Sequence, residues 1–457
     1  MNESKVNSEQ ALPNQPLTVG RDERRQQVNV VLSMYLGYAM FMVLRMAPAP
    51  VSNAIIDDPS LGIDLGDWGR IMAMGTAGAI VGKFVAGWAA DFFGGRITFA
   101  AGLLFCSLGI AAFSVATSAW MFQTAFFLAL MAKSAGWPGM TRIVGQSFSP
   151  TEFGRVWGVL STSSRVGTIV ATFGLGILVA TVSWHTLLLV ASAVGLVVAV
   201  AFSVSQQSAA MRLHAIQSAV TIEETVGSQE GDKEVAGHPL DGASLPAAVW
   251  QFCLSIQFWL IVGSLSSLTI MWDFLLFLPI FLKDTVGMSD GGASMTSSAF
   301  PIGSFISVLS GGFVFDLLSR RTTAWLMSGL LLIATGCISL FYQMQFMSIS
   351  DSVAVSMSVV LLFIFGLCIA PCYYIPMSVF SIEFGGPRAG FLVALLDGVA
   401  FFANFVFYWF AGEWAEQSWT LFLSILGAVA FTSAILTLLF MLGEAAKDRL
   451  VVAKPTN

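Results

Sequence analysis

The stretch VNVVLSMYLGYAMFMVLRMAPAPVSN, Val28–Asn53, decides how the rest of the chain is read. It is a long apolar run carrying one fixed charge, Arg45, sixteen residues beyond Asn29. As a helix rising ~1.5 Å per residue, that interval is roughly 24 Å, past the middle of a ~30 Å hydrocarbon layer. An arginine at such depth costs at least about 2.5–3.5 kcal/mol on insertion scales unless water or a counter-charge receives it. It cannot escape by losing its proton. The fold must therefore supply a wet cavity or an acid beside Arg45.

The composition sets the class. Of 457 residues, 56% are hydrophobic and only 11% charged, with a mean hydropathy of +0.79. Soluble domains carry about a quarter charged residues, so this is a polytopic membrane composition, rich in the phenylalanine and tryptophan that suit lipid-facing surfaces and interfacial belts. The net charge of −6 says little about partners, because the charges sit in loops, tails and a few intramembrane positions. Cys106, Cys253, Cys337, Cys368 and Cys372 lie in apolar runs and read as small packing residues; His185, His214 and His238 are scattered. No metal-ligand spacing, Ser/His/Asp arrangement or phosphate-binding glycine loop is visible, so the chain is expected to be no enzyme, to use no cofactor, metal or ATP, and to bind no nucleic acid. The polar first 27 residues and the length of the first apolar run speak against a cleavable signal.

Twelve apolar segments follow one another, at roughly 28–53, 67–90, 97–116, 118–146, 156–180, 184–204, 250–282, 292–316, 322–343, 352–380, 389–411 and 417–441. Each is long enough to span a bilayer. The expected organisation is a tail (1–27), a six-helix bundle (28–204), a polar linker (205–247), a second six-helix bundle (248–441) and a tail (442–457). The linker, with Glu223, Glu224, Glu230, Asp232 and Glu234, is too polar to bury itself. Lysine and arginine collect in the tails and in one set of loops, while the opposite loops hold only Arg70 and Lys283. That asymmetry predicts a multi-pass protein of the cell membrane (the inner one in a bacterium), with both termini and the linker cytoplasmic.

An internal repeat supports two equivalent halves. Gly87, Asp91 and Arg96 after the second segment recur as Gly312, Asp316 and Arg321 after the eighth, an offset of 225 residues (312 − 87). Glu152-Phe-Gly-Arg155 is echoed by Glu383-Phe-Gly-Gly-Pro-Arg388. Repeated halves place a site at their interface and let one half rock on the other.

The chain resembles the major facilitator superfamily, through GWAADFFGGR (Gly87 to Arg96), which is similar to the superfamily's motif after span 2. Within it, four stretches resemble the organophosphate:phosphate antiporters, the glycerol-phosphate and hexose-phosphate carriers: YLGYAMFMVLR (Tyr35 to Arg45), GKFVAGWAAD (Gly82 to Asp91), GWPGMTRIVGQSFSPTEFGRVWGVLSTSS (Gly136 to Ser164) and PRAGFLVALLDG (Pro387 to Gly398). The resemblance implies an all-α membrane fold of twelve transmembrane helices in two pseudo-symmetric six-helix halves. It also implies that Arg45 and Tyr38 are substrate-site residues, that Lys83 is a family-typical basic residue of span 2, and that Asp91, Arg96, Asp316 and Arg321 latch helix ends. The chain departs from those carriers at three places. Met271, with Asp273 nearby, stands where they place a second arginine in span 7; span 4 has Lys133 in place of an uncharged polar residue; span 5 has Ser164-Arg165 in place of a histidine–asparagine pair.

The positive charge thus gathers in the first half, and the second half carries acids. Arg45, Lys133 and Arg165 facing one cavity would attract an anion; each could equally be a structural charge paired with an acid or a helix-end carbonyl. Asp273 falls at the depth of Arg45 on the equivalent helix, and Asp397 at the depth of Lys83 on a neighbouring one, so Arg45–Asp273 and Lys83–Asp397 are expected pairs. An acid that trades its basic partner for a proton could couple ion movement to transport; two fixed structural pairs are the plain alternative. Gly75, Gly78, Gly82 and Gly87 read as helix-packing positions. Pro138, Pro371 and Pro376 are expected to break helices 4 and 10, with Trp137, Tyr373 and Tyr374 flanking the breaks and Trp137, Tyr373 and Asn404 as further substrate contacts.

The expected function is a monomeric secondary transporter that moves a small organic anion, carboxylate or organophosphate, by alternating access, coupled to a cation (a proton or sodium) or to anion exchange. The alternatives are a proton-driven efflux carrier for amphipathic compounds and a non-transporting substrate sensor of the same fold.

Overall fold

The prolines at 48 and 50 stop the first helix early. In the computed structural model, which describes residues 21–220, 245–385 and 389–452, α1 (Arg21–Met46) ends two residues before Pro48, and α2 (Pro48–Ile56) restarts with proline at its first turn, where the missing N–H costs nothing. The same device recurs in the second half. Here α11 (Ile256–Asp273) gives way to a 3₁₀ turn (Phe274–Leu276), and α12 (Leu278–Val286) begins with Pro279 near its start.

The other crossings of the first half are α3 (Leu65–Phe93), α4 (Gly95–Ser114), the pair α5 (Ala119–Lys133) and α6 (Gly136–Ser147), the run α7 (Phe153–Ile169), a π turn (Val170–Leu175) and α8 (Gly176–Val179), and α9 (Trp184–Val220). In the second half, the short α10 (Leu245–Leu254) precedes α11, and α13 (Asp290–Ser297), α14 (Ala299–Asp316), α15 (Arg320–Met344), α16 (Asp351–Gly385), α17 (Ala389–Gln417) and α18 (Trp419–Val452) follow α12. Among the described residues, ten helical runs are long and apolar enough to cross a membrane. The remaining two expected spans are α5/α6 and α13/α14, each split in two. No strand occurs among the described residues, and the architecture is the twelve-helix, two-half arrangement of a multi-pass membrane protein.

Helix 4 breaks at Ser134–Ala135, as expected from Pro138, because a proline ring collides with the carbonyl four residues before it, which is that of Ser134. Two other sequence expectations need correction. Helix 10 does not break: α16 runs unbroken through Pro371 and Pro376. In a membrane the freed carbonyls have no water to reward an opened helix, and neighbouring groups re-satisfy them. The seventh span starts at Ile256, with an extended Ser255 separating it from α10. In addition, α9 continues as helix to Val220, well past the expected start of the linker at 205; of that linker, 221–244 lies outside the described residues.

Small residues set the helix spacing. A Cβ on Gly78 or Gly82 of α3 would lie 2.1 or 2.3 Å from a backbone oxygen of α5, and one on Gly303 or Gly366 would bring α14 and α16 into the same 2.1 and 2.0 Å conflict. These equivalent contacts in the two halves are backbone approaches that only glycine allows. Gly75 packs on Phe126, whereas a Cβ on Gly87 would meet nothing within 4 Å among the described residues, so Gly87 is no packing position there. Outside, Phe84, Phe105, Val197 and Phe402 present apolar surface, as a bilayer-facing wall requires.

Candidate functional site

Charge is found at the helix breaks. Arg45 and Lys133 lie in the last turns of α1 and α5, Asp273 is the last residue of α11, and Arg165 stands one turn before the π turn that follows α7. A cation at a helix C-terminus is favoured by the helix dipole, while an acid there is disfavoured and needs donors from elsewhere. Asp273, 4% exposed, receives three. Arg45 Nη2 donates to its Oδ1 at 2.7 Å, Asn404 Nδ2 to its Oδ2 at 2.6 Å, and Tyr408 Oη to its backbone oxygen at 2.7 Å, at the start of the 3₁₀ turn.

Lys83 of α3 and Asp397 of α17 form the second pair, with Tyr373 Oη donating to Asp397 Oδ1 at 3.2 Å and the Lys83 ammonium 3.6 Å from the centre of the Phe401 ring. Both expected pairs are therefore present. Tyr373 and Asn404, expected as substrate contacts, spend donors on Asp397 and Asp273.

The other two cations form no ion pair among the described residues. Lys133, half-buried, stands 6.0 Å from the centre of the Tyr38 ring. Arg165 is 4% exposed. Its Nη1 donates to Ser161 O at 3.2 Å and to Ser164 Oγ at 2.6 Å, while its guanidinium carbon lies 4.5 Å from the Tyr374 ring centre and 5.3 Å from that of Trp272. Its Nε and Nη2 are buried with no hydrogen-bond partner. Tyr38 ties the cluster together: it is buried, within electrostatic reach of Arg45, Arg165, Tyr374 and Asp397, and packs edge-on against Trp137 at 5.9 Å. Lys133 in turn lies within reach of Arg45, Lys83 and Asp397. The four cations and two acids thus form one continuous polar cluster between the halves.

On one side of this cluster the halves are sealed. Asn53 Nδ2 donates to Pro279 O at 3.2 Å, Ser294 Oγ to Thr172 O at 2.8 Å, and Arg70 Nη1 to Glu413 at 3.1 Å. Lys283 bridges Asp57 (2.5 Å) and Asp290 (2.8 Å). The two carboxylates outweigh the effect of partial burial and hold the Lys283 ammonium above its ordinary pKa. On the other, basic side, Trp137 is 48% and Tyr374 41% exposed.

The expected latch residues are divided. Asp91 accepts from Arg142 Nη2 at 2.6 Å, inside the first half; Arg96 is half-buried with its Nε unpartnered; Arg321 is exposed; and the Asp316 side chain lies outside the described residues. Sequence reasoning missed Tyr408, Trp272 and Ser161. Tyr408 had a usable signal, standing one helical turn after Asn404 on the same face.

The sequence model described as Major Facilitator Superfamily matches residues 34–395. Two chlamydial proteins named as probable hexose phosphate transport proteins are similar to the chain. That of Chlamydia muridarum is 26% identical over 37% of each chain, and that of Chlamydia trachomatis serovar D 22% identical over 67% of this chain and 68% of its own. An Arabidopsis thaliana protein whose name offers it as a glycerol-3-phosphate transporter is 22% identical over 90% of each. Among solved structures, a bacterial homolog of the human lysosomal transporter Spinster, inward-facing and unoccupied, superposes with a TM-score of 0.62 at 17% identity, covering 92% of this chain and 96% of that one. Matched by that model over most of its length, the chain belongs to the Major Facilitator Superfamily.

Proposed function

We propose that the protein is a secondary transporter for a small organic anion, working by alternating access between halves 28–204 and 248–441, with the basic face and both termini in the cytoplasm. The observation that carries this reading is Arg165: a guanidinium 4% exposed, with two donors unpartnered and no carboxylate beside it. A buried charge left so is strongly unfavourable, and an anionic solute relieves it. Lys133 adds a second cation with no ion-pair partner among the described residues, 6.0 Å from the centre of the Tyr38 ring. The names of the relatives, which concern phosphorylated solutes, point to the same charge type.

The two ion pairs take a different part. Arg45–Asp273 and Lys83–Asp397 each join one half to the other. They hold the halves together in this state, in which the face opposite the basic one is sealed, and they separate when that face opens. The acid set free in that step takes up a cation, a proton or sodium, which links cation movement to the cycle.

A thermal-shift screen of organic anions on the wild type and on Arg45→Gln, Lys133→Gln and Arg165→Gln tests the reading. Stabilisation follows ligand concentration over Kd for species that bind the folded state. The expected result is anion-dependent stabilisation that is lost with Arg165→Gln. Stabilisation by uncharged amphipathic compounds alone would contradict it and favour the efflux reading. Binding without counterflow of label in proteoliposomes would favour the sensor.

A further inference from the structure

The two side chains that hold the Asp273 carboxylate come from different halves. Arg45 belongs to the first half, whereas Asn404 lies on α17, which packs beside α11 in the second. When the halves separate, Arg45 leaves and the amide stays. Asn404 is fully buried, and only one end of its side chain is used. Nδ2 donates to Asp273 Oδ2 at 2.6 Å, while Oδ1 is buried with no hydrogen-bond partner among the described residues. The amide stands this way round because an ionised carboxylate accepts hydrogen bonds and cannot donate one.

A primary amide is a donor at one end and an acceptor at the other, and a half-turn about its terminal torsion exchanges the two in nearly the same space. With Arg45 withdrawn, an ionised Asp273 would be a buried charge without compensation, which is strongly unfavourable. A proton from water on the opened face removes that charge. An O–H bond forms at Oδ2, and the inverted Asn404 accepts from it through the Oδ1 that has no partner in the sealed state. One hydrogen bond joins the two side chains in either condition, with no movement of the backbone. Of the charged and titratable groups on the surrounding elements, Arg45 of α1 and Tyr408 of α17 face Asp273. Tyr373 of α16 turns to Asp397, and α18 meets α11 through Thr437 and Ser264. A hard cation such as sodium is held instead by a shell of oxygens. Here the Asp273 backbone oxygen is spent on Tyr408, and the flanking Met271, Trp272, Phe274 and Leu275 carry no side-chain oxygen.

We infer that Asn404 makes Asp273 a proton site and not a sodium site, donating to the carboxylate while Arg45 is paired and accepting from the protonated carboxyl once Arg45 has withdrawn. As Arg45 returns, the O–H bond breaks, the proton goes back to water and the amide resumes its first orientation. Arg45 keeps its own proton throughout. This rests on the reading of Arg45–Asp273 as a pair that opens in the transport cycle, and it names the coupling cation and the group that selects it.

The test is infrared difference spectroscopy of the purified full-length protein in lipid vesicles, without any solute, reading the carbonyl stretch of a protonated carboxyl. Arg45→Gln stands in for the withdrawn arginine, and its folding is checked by elution profile. The expected result is a protonated-carboxyl band in Arg45→Gln at neutral pH that the wild type lacks. Adding Asp273→Asn removes the band. Adding Asn404→Leu moves it to the higher frequency of a carboxyl that has lost its hydrogen-bond acceptor. Replacing choline chloride by sodium chloride leaves it unchanged. A second measurement needs no variant of Arg45: the wild type carried from about pH 8 to about pH 5 should gain the same band, with Asp273→Asn as the blank. Absence of an Asp273 band in both measurements, a band that Asn404→Leu does not move, or a band that sodium abolishes overturns the inference. Each of these outcomes leaves the anion reading standing, which the thermal-shift screen tests by itself.

Discussion

Asp273 is the residue with most at stake. It sits where the helix dipole opposes a negative charge, and it is held by Arg45, Asn404 and Tyr408. With side-chain exposures of 13% and 6%, Arg45 and Asp273 are both removed from water. Taking away one partner therefore leaves an uncompensated buried charge, at about 3–5 kcal/mol. Asp273→Asn should lower the melting temperature markedly, and the double replacement Arg45→Met, Asp273→Leu should recover most of the loss; a double variant as unstable as the single one would show that the pair is not the source of the effect. In reconstituted vesicles, Asp273→Asn should lose cation-driven uptake and keep exchange. Uptake that still follows the cation gradient would remove Asp273 from coupling. Much at this scale could be read in advance. Equal depths on related helices were enough to match Arg45 with Asp273 and Lys83 with Asp397. What depth does not give is helix rotation, and that decides whether Arg165 meets an acid or two aromatic rings.

At the scale of elements, the breaks in α1/α2, α5/α6 and α11/α12 put charged side chains beside freed backbone groups. Pro279 holds the last of these open, and its carbonyl accepts from Asn53 of the first half. Pro279→Ala removes the obstacle to joining α11 and α12 through Phe274–Leu276. The Asp273 carbonyl would then move with the rejoined helix, away from the position at which it accepts from Tyr408. Transport should fall by about tenfold or more with the protein still folded, since small displacements of a positioned group are costly. Full activity in this variant would make the break incidental. Proline position foresaw the break in helix 4 and wrongly predicted one in helix 10. The ring acts on the preceding turn, and whether a helix opens depends on what its neighbours offer the freed carbonyls.

At the scale of the whole molecule, two halves meet tightly on one face and around the charged cluster. The approach of α3 to α17 is closest at Gly412, where a Cβ would stand 1.9 Å from the Leu65 carbonyl oxygen. Gly412→Ala should therefore prevent full closure there. In a Thr172→Cys background, whose native side chain is fully buried in this state, labelling by a membrane-impermeant thiol reagent from that face should rise. Unchanged labelling would show that the halves do not separate along this seam. The twelve spans and the two halves were legible because hydropathy and the repeated Gly-Asp-Arg spacing are properties of the chain itself. The seal was not, because it is made by loop and helix-end contacts between distant segments, such as Lys283 with Asp57.

The central claim is that a cation without an acid, Arg165, receives a solute that crosses the membrane, while the paired cations hold the halves. Counterflow in proteoliposomes tests it directly: unlabelled organic anion is trapped inside and labelled anion supplied outside, for the wild type and for Arg165→Gln. The wild type should accumulate label transiently and the variant should accumulate none. Equal accumulation by both, or specific binding by the wild type with no accumulation, would contradict it.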